Sequence, residues 1–393
     1  MSPCAKPRAR RTRFGPTRSC TPRSVRSVFD DLAELTGRLV AIESTNPDLV
    51  PDGVGEGEIA AFVASWLDEA GLDVDQYEAA PGRPNVVGVA RGTGGGRSLL
   101  LNAHMDTVGV VGMESPFAPF VREGRLHGRG SGDMKGSLAA SMLVGAAAIQ
   151  ERFRGDVIVA AVADEEVGSV GTEALVRRSF ADAAIVTEPT EEVVAVAHKG
   201  FVAFEIETIG RAAHGSRPDL GIDAIAAMGP VLSGIAALDA RLRREVGHPL
   251  LHTGSVHAAV IEGGQEYSSY PARCLLKGER RTVPGETPDD VRAELEEIVA
   301  GTGANVRLTF HRGPFETPSD APVVAALHRH LGHDAVGGVA FWADSALLAD
   351  AGIPTVVFGP VVGGIHGADE WVDLASLERC CDAYLAVARE LCA

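Results

Sequence analysis

Positive charge is scarce in this sequence: 36 Lys and Arg stand against 53 Asp and Glu, a formal net charge of −17. That balance argues against a nucleic-acid or anionic-membrane surface, so neither partner is expected. Long apolar runs are missing too. The weakly polar stretch at 137–149 falls short of the roughly 20 residues that cross a bilayer. Paired cysteines are also absent. The six that occur (Cys4, Cys20, Cys274, Cys380, Cys381 and Cys392) show no C-x-x-C spacing, and Cys380 and Cys381 are adjacent and cannot easily bridge. They read as reduced thiols in a cytoplasmic protein. There is no internal repeat. What remains, 45% hydrophobic and 23% charged residues, describes a soluble globular protein, and 393 residues favour two domains.

The charge is unevenly spread. Residues 1–27 hold Lys6 and seven arginines with no acid, so with +8 there and −17 overall the remainder carries −25. Arg10–Arg11 could open a twin-arginine export signal, but no hydrophobic region follows before Phe29-Asp30-Asp31. The stretch reads as a disordered Arg-rich extension.

Beyond it, helical patterns flank a loop at 46–57, and βα alternation follows. Strands are expected at 85–90 and at 98–103, the second nearly all apolar as a doubly buried strand should be, with a GTGGG hairpin turn between them. A helix at 134–152, strand 157–163, helix 172–179 and strand Ala183–Val186 continue the rhythm. The pattern then changes. Strand 201–208, helix 222–241, strands 255–262 and 274–281, helix 288–301 and strand 305–310 give a β-α-β-β-α-β order, the ferredoxin-like motif. The α/β rhythm resumes with a helix at 321–331, a strand at 355–358 and a last helix from Leu374. The expected architecture is an α/β catalytic domain (28–197 and 313–393) interrupted by an α+β domain (198–312).

Five motifs carry metal-ligand chemistry. In NAHMDTV, His104 ends a buried strand, and Asp106, two residues on, can hydrogen-bond the imidazole if the strand continues. The plainer alternative is a strand-end His beside a local Asp. Asp133, in GRGSGDMKG, opens a helix and could be a simple N-cap. Its glycine-rich approach lets backbone come close to a site, and its two oxygens can bridge two ions about 3.5–4 Å apart. Glu165 and Glu166, in DEEVGS, end a strand at the edge where open α/β sheets place ligands. Adjacent side chains diverge there, which assigns Glu166 to a metal and leaves Glu165 for proton transfer; an acidic turn is the alternative. Glu188, in TEPT, also follows a strand, and His366 lies in the glycine-rich loop GPVVGGIHGADE, where an isolated His would be an ordinary surface residue. Together, two imidazoles and three carboxylates at strand ends of one domain suit a pair of divalent cations of the zinc, cobalt or manganese kind. The set points to metal-assisted hydrolysis.

These motifs, with PNVVG, SPFAPFVREGRLHGRGSGDMKG, DEEVGSVGT and HKG, resemble the M20 metallopeptidase family from about Phe29 to the C-terminus. That family includes acetylornithine deacetylases, succinyl-diaminopimelate desuccinylases, aminoacylases, carboxypeptidases and dipeptidases. The resemblance implies that His104, Asp133 and Glu188 hold one metal and that Asp133, Glu166 and His366 hold the other, zinc foremost. It implies that Asp106 supports His104 and that Glu165 is the catalytic carboxylate. It further implies a homodimer through the inserted domain, with His214 of AAHGSRPDLGIDAI reaching the partner's site to stabilise an oxyanion. Arg281 of ERRTVPGET matches an arginine that pairs with a substrate carboxylate. One departure concerns Ser268, in GGQEYSSYP, which stands where many relatives have Asn. The expected activity is hydrolysis of the amide of an N-acyl amino acid by a metal-activated water. The alternatives are a dipeptidase or carboxypeptidase of the same family, or a non-catalytic metal or amino-acid binding protein, against which Glu165 speaks.

Overall fold

The computed structural model describes residues 26–178 and 180–393. The Arg-rich stretch falls outside these, except that the first helix, α1 (Arg26–Val40), takes up its last two residues. In α2 (Gly57–Glu69), Ile59, Ala60, Val63 and Leu67 line one buried stripe at helical spacing. There follow β1 (Asp73–Ala80), β2 (Arg83–Ala90), β3 (Leu99–His104), β4 (Phe120–Arg122), β5 (Arg125–His127), α3 (Gly136–Glu151), β6 (Val157–Val162), α4 (Val170–Arg178), β7 (Ala183–Val186) and β8 (Ala195–His198). The inserted segment comprises β9 (Gly200–Ile209), α5 (Ala224–Leu242), β10 (Ser255–Gly263), β11 (Arg273–Thr282), α6 (Pro288–Val299) and β12 (Asn305–Arg312). The chain then adds β13 (Phe315–Glu316), α7 (Pro322–Leu331), β14 (Gly337–Val339), α8 (Ser345–Asp350), β15 (Thr355–Val357), β16 (Val362–Gly363), β17 (Trp371–Asp373) and α9 (Leu374–Leu391).

The main sheet runs β1-β2-β6-β3-β7-β15-β8-β13, with β14 on β8. Its centre, β6-β3-β7-β15, is parallel and its margins are mostly antiparallel. Alternate residues serve opposite faces: Leu99, Leu101 and Ala103 pack under α1, α3 and α9, while Leu100 packs with α4 and α8. Burial on both faces is why β3 and β6 read as apolar runs.

The GTGGG segment is not the expected hairpin. β6 lies between β2 and β3, and the glycines instead press against the α3–β6 connection, where a Cβ on Gly92 would come 2.3 Å from the Arg154 carbonyl. The real hairpin joins β1 and β2 through Pro81-Gly82, with Gly82 at φ +73. The inserted segment is antiparallel in the order β10-β11-β9-β12, the ferredoxin-like arrangement, with α5 and α6 packed on one face. Helix α5 is longer than the 137–149 run and is long and apolar enough to cross a membrane by length and composition. Here its Met228, Val231, Ile235 and Leu238 fill the core of the inserted domain. A small sheet, β16-β17-β5-β4, frames the loop that carries His366. Cys274, Cys380, Cys381 and Cys392 are buried and free, as expected; Cys4 and Cys20 lie outside the described residues.

Candidate metal centre

The carboxyl ends of the central strands bring the five ligand candidates together. His104 is the last residue of β3, Glu166 follows β6, Glu188 follows β7, and His366 lies between β16 and β17. Asp133 sits in a tight turn, Ser131–Lys135, before α3, with its own backbone non-helical at φ −124 and ψ 91. It is no N-cap: α3 begins at Gly136, and the residue before it, Lys135, caps nothing with its side chain. His104 Nε2 is 3.0 Å from Asp133 Oδ1 and 3.6 Å from Glu188 Oε1. His366 Nε2 is 3.3 Å from both Asp133 Oδ2 and Glu166 Oε2. Two triads result, His104–Asp133–Glu188 and Asp133–Glu166–His366, each with ligand atoms within 4.8 Å of one another. They share Asp133, which turns one oxygen to each.

The charge balance of the cluster fits divalent cations. Burial, then the Asp133 charge, holds the Glu188 carboxyl well above the usual range, and the same two causes raise Glu166. His104 is raised despite its burial, through hydrogen bonds to Asp106 and Asp133. His366 is raised to about 10 by Asp133 and Glu166. Protons are thus drawn onto the imidazoles to offset crowded carboxylates, a role that cations take over when ligands deprotonate to bind them. Glu166 Oε1 is buried without any hydrogen-bond partner. The donor set, two nitrogens and three carboxylates, suits zinc, cobalt or manganese.

The surrounding residues fix these ligands. His104 Nδ1 donates to the Asp106 carbonyl at 2.9 Å, so Nε2, once it gives up its proton, presents its lone pair to the cluster. The expected carboxylate support is therefore only partial, because β3 stops at His104 and the Asp106 carboxylate stands 3.5 Å from Nδ1. That carboxylate instead accepts the backbone N–H groups of Glu165 and Glu166, at 3.1 and 3.2 Å, and the Asn46 amide at 2.7 Å. It orients the turn that bears both glutamates. Glu165 lies outside both triads; burial, then Glu188, holds its carboxyl well above the usual range.

Sequence reasoning missed several buried carboxylates, Glu370 and Asp344 among them. Glu370 accepts the N–H groups of Gly130, Gly132 and Asp133 and pairs with Arg129 at 2.5 Å, so it shapes the Asp133 turn. Its only sequence signal was its place at the end of the His366 motif. Asp344 accepts from Thr172 Oγ1 at 2.6 Å, and burial raises it to about 6.

His214, Ser268 and Arg281 lie on the inserted domain and make no hydrogen bond or ion pair with the cluster among the described residues. His214 is exposed, and its Nδ1 accepts the Ser216 N–H at 3.2 Å. Ser268 is its exposed neighbour, with its carbonyl bonded to the Gly215 N–H. Arg281 is half-buried over the Phe201 ring, with Nε on Glu279 at 2.7 Å. Adjacent Arg280 is fully buried between Glu286 and Glu294.

A large mixed sheet, an inserted α+β domain and two ligand triads with a free carboxylate beside them define a metal-dependent hydrolase of C–N amide bonds. The chain belongs to peptidase family M20/M25/M40, whose model matches residues 100–390. It is 32% identical over 372 residues to acetylornithine deacetylase of Myxococcus xanthus, covering 88% of this chain and 94% of that protein. It is 29% identical over 398 residues to N-formyl-4-amino-5-aminomethyl-2-methylpyrimidine deformylase of Bacillus subtilis (strain 168), covering 89% and 91%. Among solved structures it is similar to a tripeptidase from Staphylococcus aureus, with a TM-score of 0.75, 22% identity, and 93% and 98% of the two chains covered, a likeness of fold.

Proposed function

We propose that the protein removes the acyl group from an N-acyl amino acid. The observation that carries this reading is the position of Glu165: half-buried, within electrostatic reach of Glu188 and His104 of one ligand triad and Glu166 of the other, and a member of neither. Binding alone gives such a carboxylate nothing to do. Similarity to a deacetylase and a deformylase favours a small acyl group over a peptide.

His104, Asp133 and Glu188 on one side, and Asp133, Glu166 and His366 on the other, would hold two divalent cations, zinc foremost, which when bound supply Lewis acidity and a more acidic water. Glu165 takes the proton from the attacking water and later delivers it to the leaving amine nitrogen. Asp106 keeps the Glu165–Glu166 backbone in place. With Nδ1 of His214 accepting from Ser216, its Nε2 carries the hydrogen and can donate to the developing oxyanion. Arg281, with only Nε engaged among the described residues, offers its two terminal nitrogens to the substrate carboxylate, and Ser268 offers a hydroxyl beside His214.

We assign His214 to the active site of a second copy of the chain. In support, β10 is an edge of the inserted sheet, with Val260 and Ile261 exposed on it and Ile225 and Leu232 exposed on α5. Such an edge is normally covered.

The test is amine release from N-acetyl, N-succinyl and aminoacyl amino acids, with Zn²⁺ or Co²⁺ restored after chelation. Metal-dependent release from the simple N-acyl compounds is expected. Cleavage confined to dipeptides would assign the chain to peptide substrates instead, and no release despite bound metal would leave a binding protein.

A further inference from the structure

The turn that carries Glu165 and Glu166 is held in unusual backbone. Asp164 opens it at φ +67 and Ser169 closes it at φ +56, both in the left-handed region that side-chain-bearing residues seldom occupy. Such a turn persists only where its surroundings hold it. From within the catalytic domain the hold is dense. Arg83 lies 2.9 Å from Asp164 Oδ1, Asn46 donates to the same carboxylate at 3.1 Å, and Asn85 accepts the Ala163 N–H at 3.1 Å while donating to the Gly171 carbonyl at 2.8 Å.

One further anchor comes from the end of the inserted domain. Arg312, the last residue of β12, donates through Nη2 to the Gly168 carbonyl, inside the turn. Through Nη1 it pairs with Glu173 of α4 at 2.9 Å. Its guanidinium carbon lies 4.8 Å from the centre of the Phe310 ring and 5.9 Å from that of Trp342, and its side chain is 13% exposed. The Arg312 backbone is fixed at the point where the chain leaves and re-enters the catalytic domain. There Gly200 packs so closely that a Cβ would fall 2.5 Å from the Arg312 carbonyl and 2.4 Å from Pro314 N.

We infer that Arg312 is a positioning residue that registers the inserted domain against the Glu165–Glu166 turn. The two crossings form one backbone-to-backbone junction, and the guanidinium is a rigid fork projecting from it. A rotation of the inserted domain about this junction shifts the fork, and with it the Gly168 carbonyl, three residues from Glu165. Closing of the inserted domain and placement of the proton-transfer group are thereby coupled. The inference rests on the role proposed for Glu165.

The experiment uses metal-loaded full-length protein and the N-acyl amino acid it hydrolyses fastest. Arg312→Ala is expected to lower kcat about 30- to 100-fold with KM and metal content nearly unchanged, since sub-ångström misplacement acts on the chemical step. Free guanidinium in the low millimolar range should recover part of that loss, whereas methylammonium should not. Arg312→Lys, which keeps one donor direction, should fall between Arg312→Ala and the native protein. A kcat for Arg312→Ala near the native value would overturn the inference. So would a loss that guanidinium does not relieve and that merely follows a lowered melting temperature. If Arg312→Ala does not fold, Arg312→Lys decides: native kcat overturns the coupling, and reduced kcat at native KM supports it. Glu165→Gln separates the two levels of the argument. If that variant turns over normally, the role of Glu165 fails; if it is inactive while Arg312→Ala is normal, only the coupling fails.

Discussion

The catalytic domain and the inserted domain contribute to the site in opposite ways. In the catalytic domain three of the five ligands are held by other groups: His104 by a backbone carbonyl, Asp133 by Glu370 on its N–H, and Glu166 by Asp106 on its N–H. The inserted domain offers His214 and Ser268 on two exposed loops and Arg281 with Nε on Glu279. One half is built before substrate arrives, as a set of crowded carboxylates must be if it is to bind cations tightly. The other half gains its contacts only when a substrate, a domain movement or a second copy brings the pieces together.

Substitutions should separate the two halves. The largest effect is expected for Glu165→Gln, which keeps the shape but removes the proton acceptor. Turnover should fall by about 10²–10⁴ with two metals still bound, a general-base contribution of the usual size. His214→Ala comes next, at about 10²–10³ in kcat if its Nε2–H meets the oxyanion. Mixing inactive His214→Ala with inactive Glu165→Gln should restore activity, because a mixed dimer has one site with both groups intact. Failure to complement, with dimers confirmed by sedimentation, would place His214 on its own chain's site or on none. Asp106→Asn should weaken metal affinity by about 10- to 100-fold, as removal of a ligand's supporting carboxylate does, with less effect on turnover at saturating metal. Titration of chelated protein with Co²⁺ reads this directly.

The smallest effect at neutral pH concerns His198, at the junction of the two domains. It is fully buried and held neutral, Nδ1 donating to the Lys199 carbonyl at 2.9 Å and Nε2 accepting from Ser345 at 2.8 Å; burial lowers it to about 4. The folded state therefore binds this proton less readily than the unfolded chain, whose histidine titrates near 6.5. The contribution to stability is complete above 6.5 and is lost as pH falls toward 4, amounting to about 3 kcal/mol there. His198→Asn lacks this liability. Urea unfolding should show its deficit against the native protein shrinking by about that amount between pH 7 and pH 4; a constant deficit would refute the assignment.

What the sequence made legible follows the same division. β3, β6 and β7 announce themselves because burial on both faces demands apolar runs, and the inserted domain because its elements alternate in a known order. β1 was missed because DVDQYEAA is a polar, half-exposed edge strand, and β13 and β16 because two residues have no periodicity. The GTGGG segment misled because glycines that permit a turn also permit close backbone approach, and only the packing against Arg154 decides between them. In the site, each ligand sits in a motif whose glycines or strand-end position mark it. Glu370 and Asp344 escaped notice because holding backbone amides, or bonding a distant threonine, imposes no spacing on a sequence. Arg312 lies two residues beyond the expected strand 305–310, and a bond to the Gly168 carbonyl 144 residues away leaves no pattern in the sequence.

The central claim, that Asp133 is shared between two cation sites, is tested most directly by counting metal. Chelated protein reloaded with Zn²⁺, freed of excess by dialysis and measured by elemental analysis should hold two ions per chain. His366→Ala and Glu188→Ala should each hold one, and Asp133→Ala none tightly. One ion per chain in the native protein, or two retained by Asp133→Ala, would contradict the account.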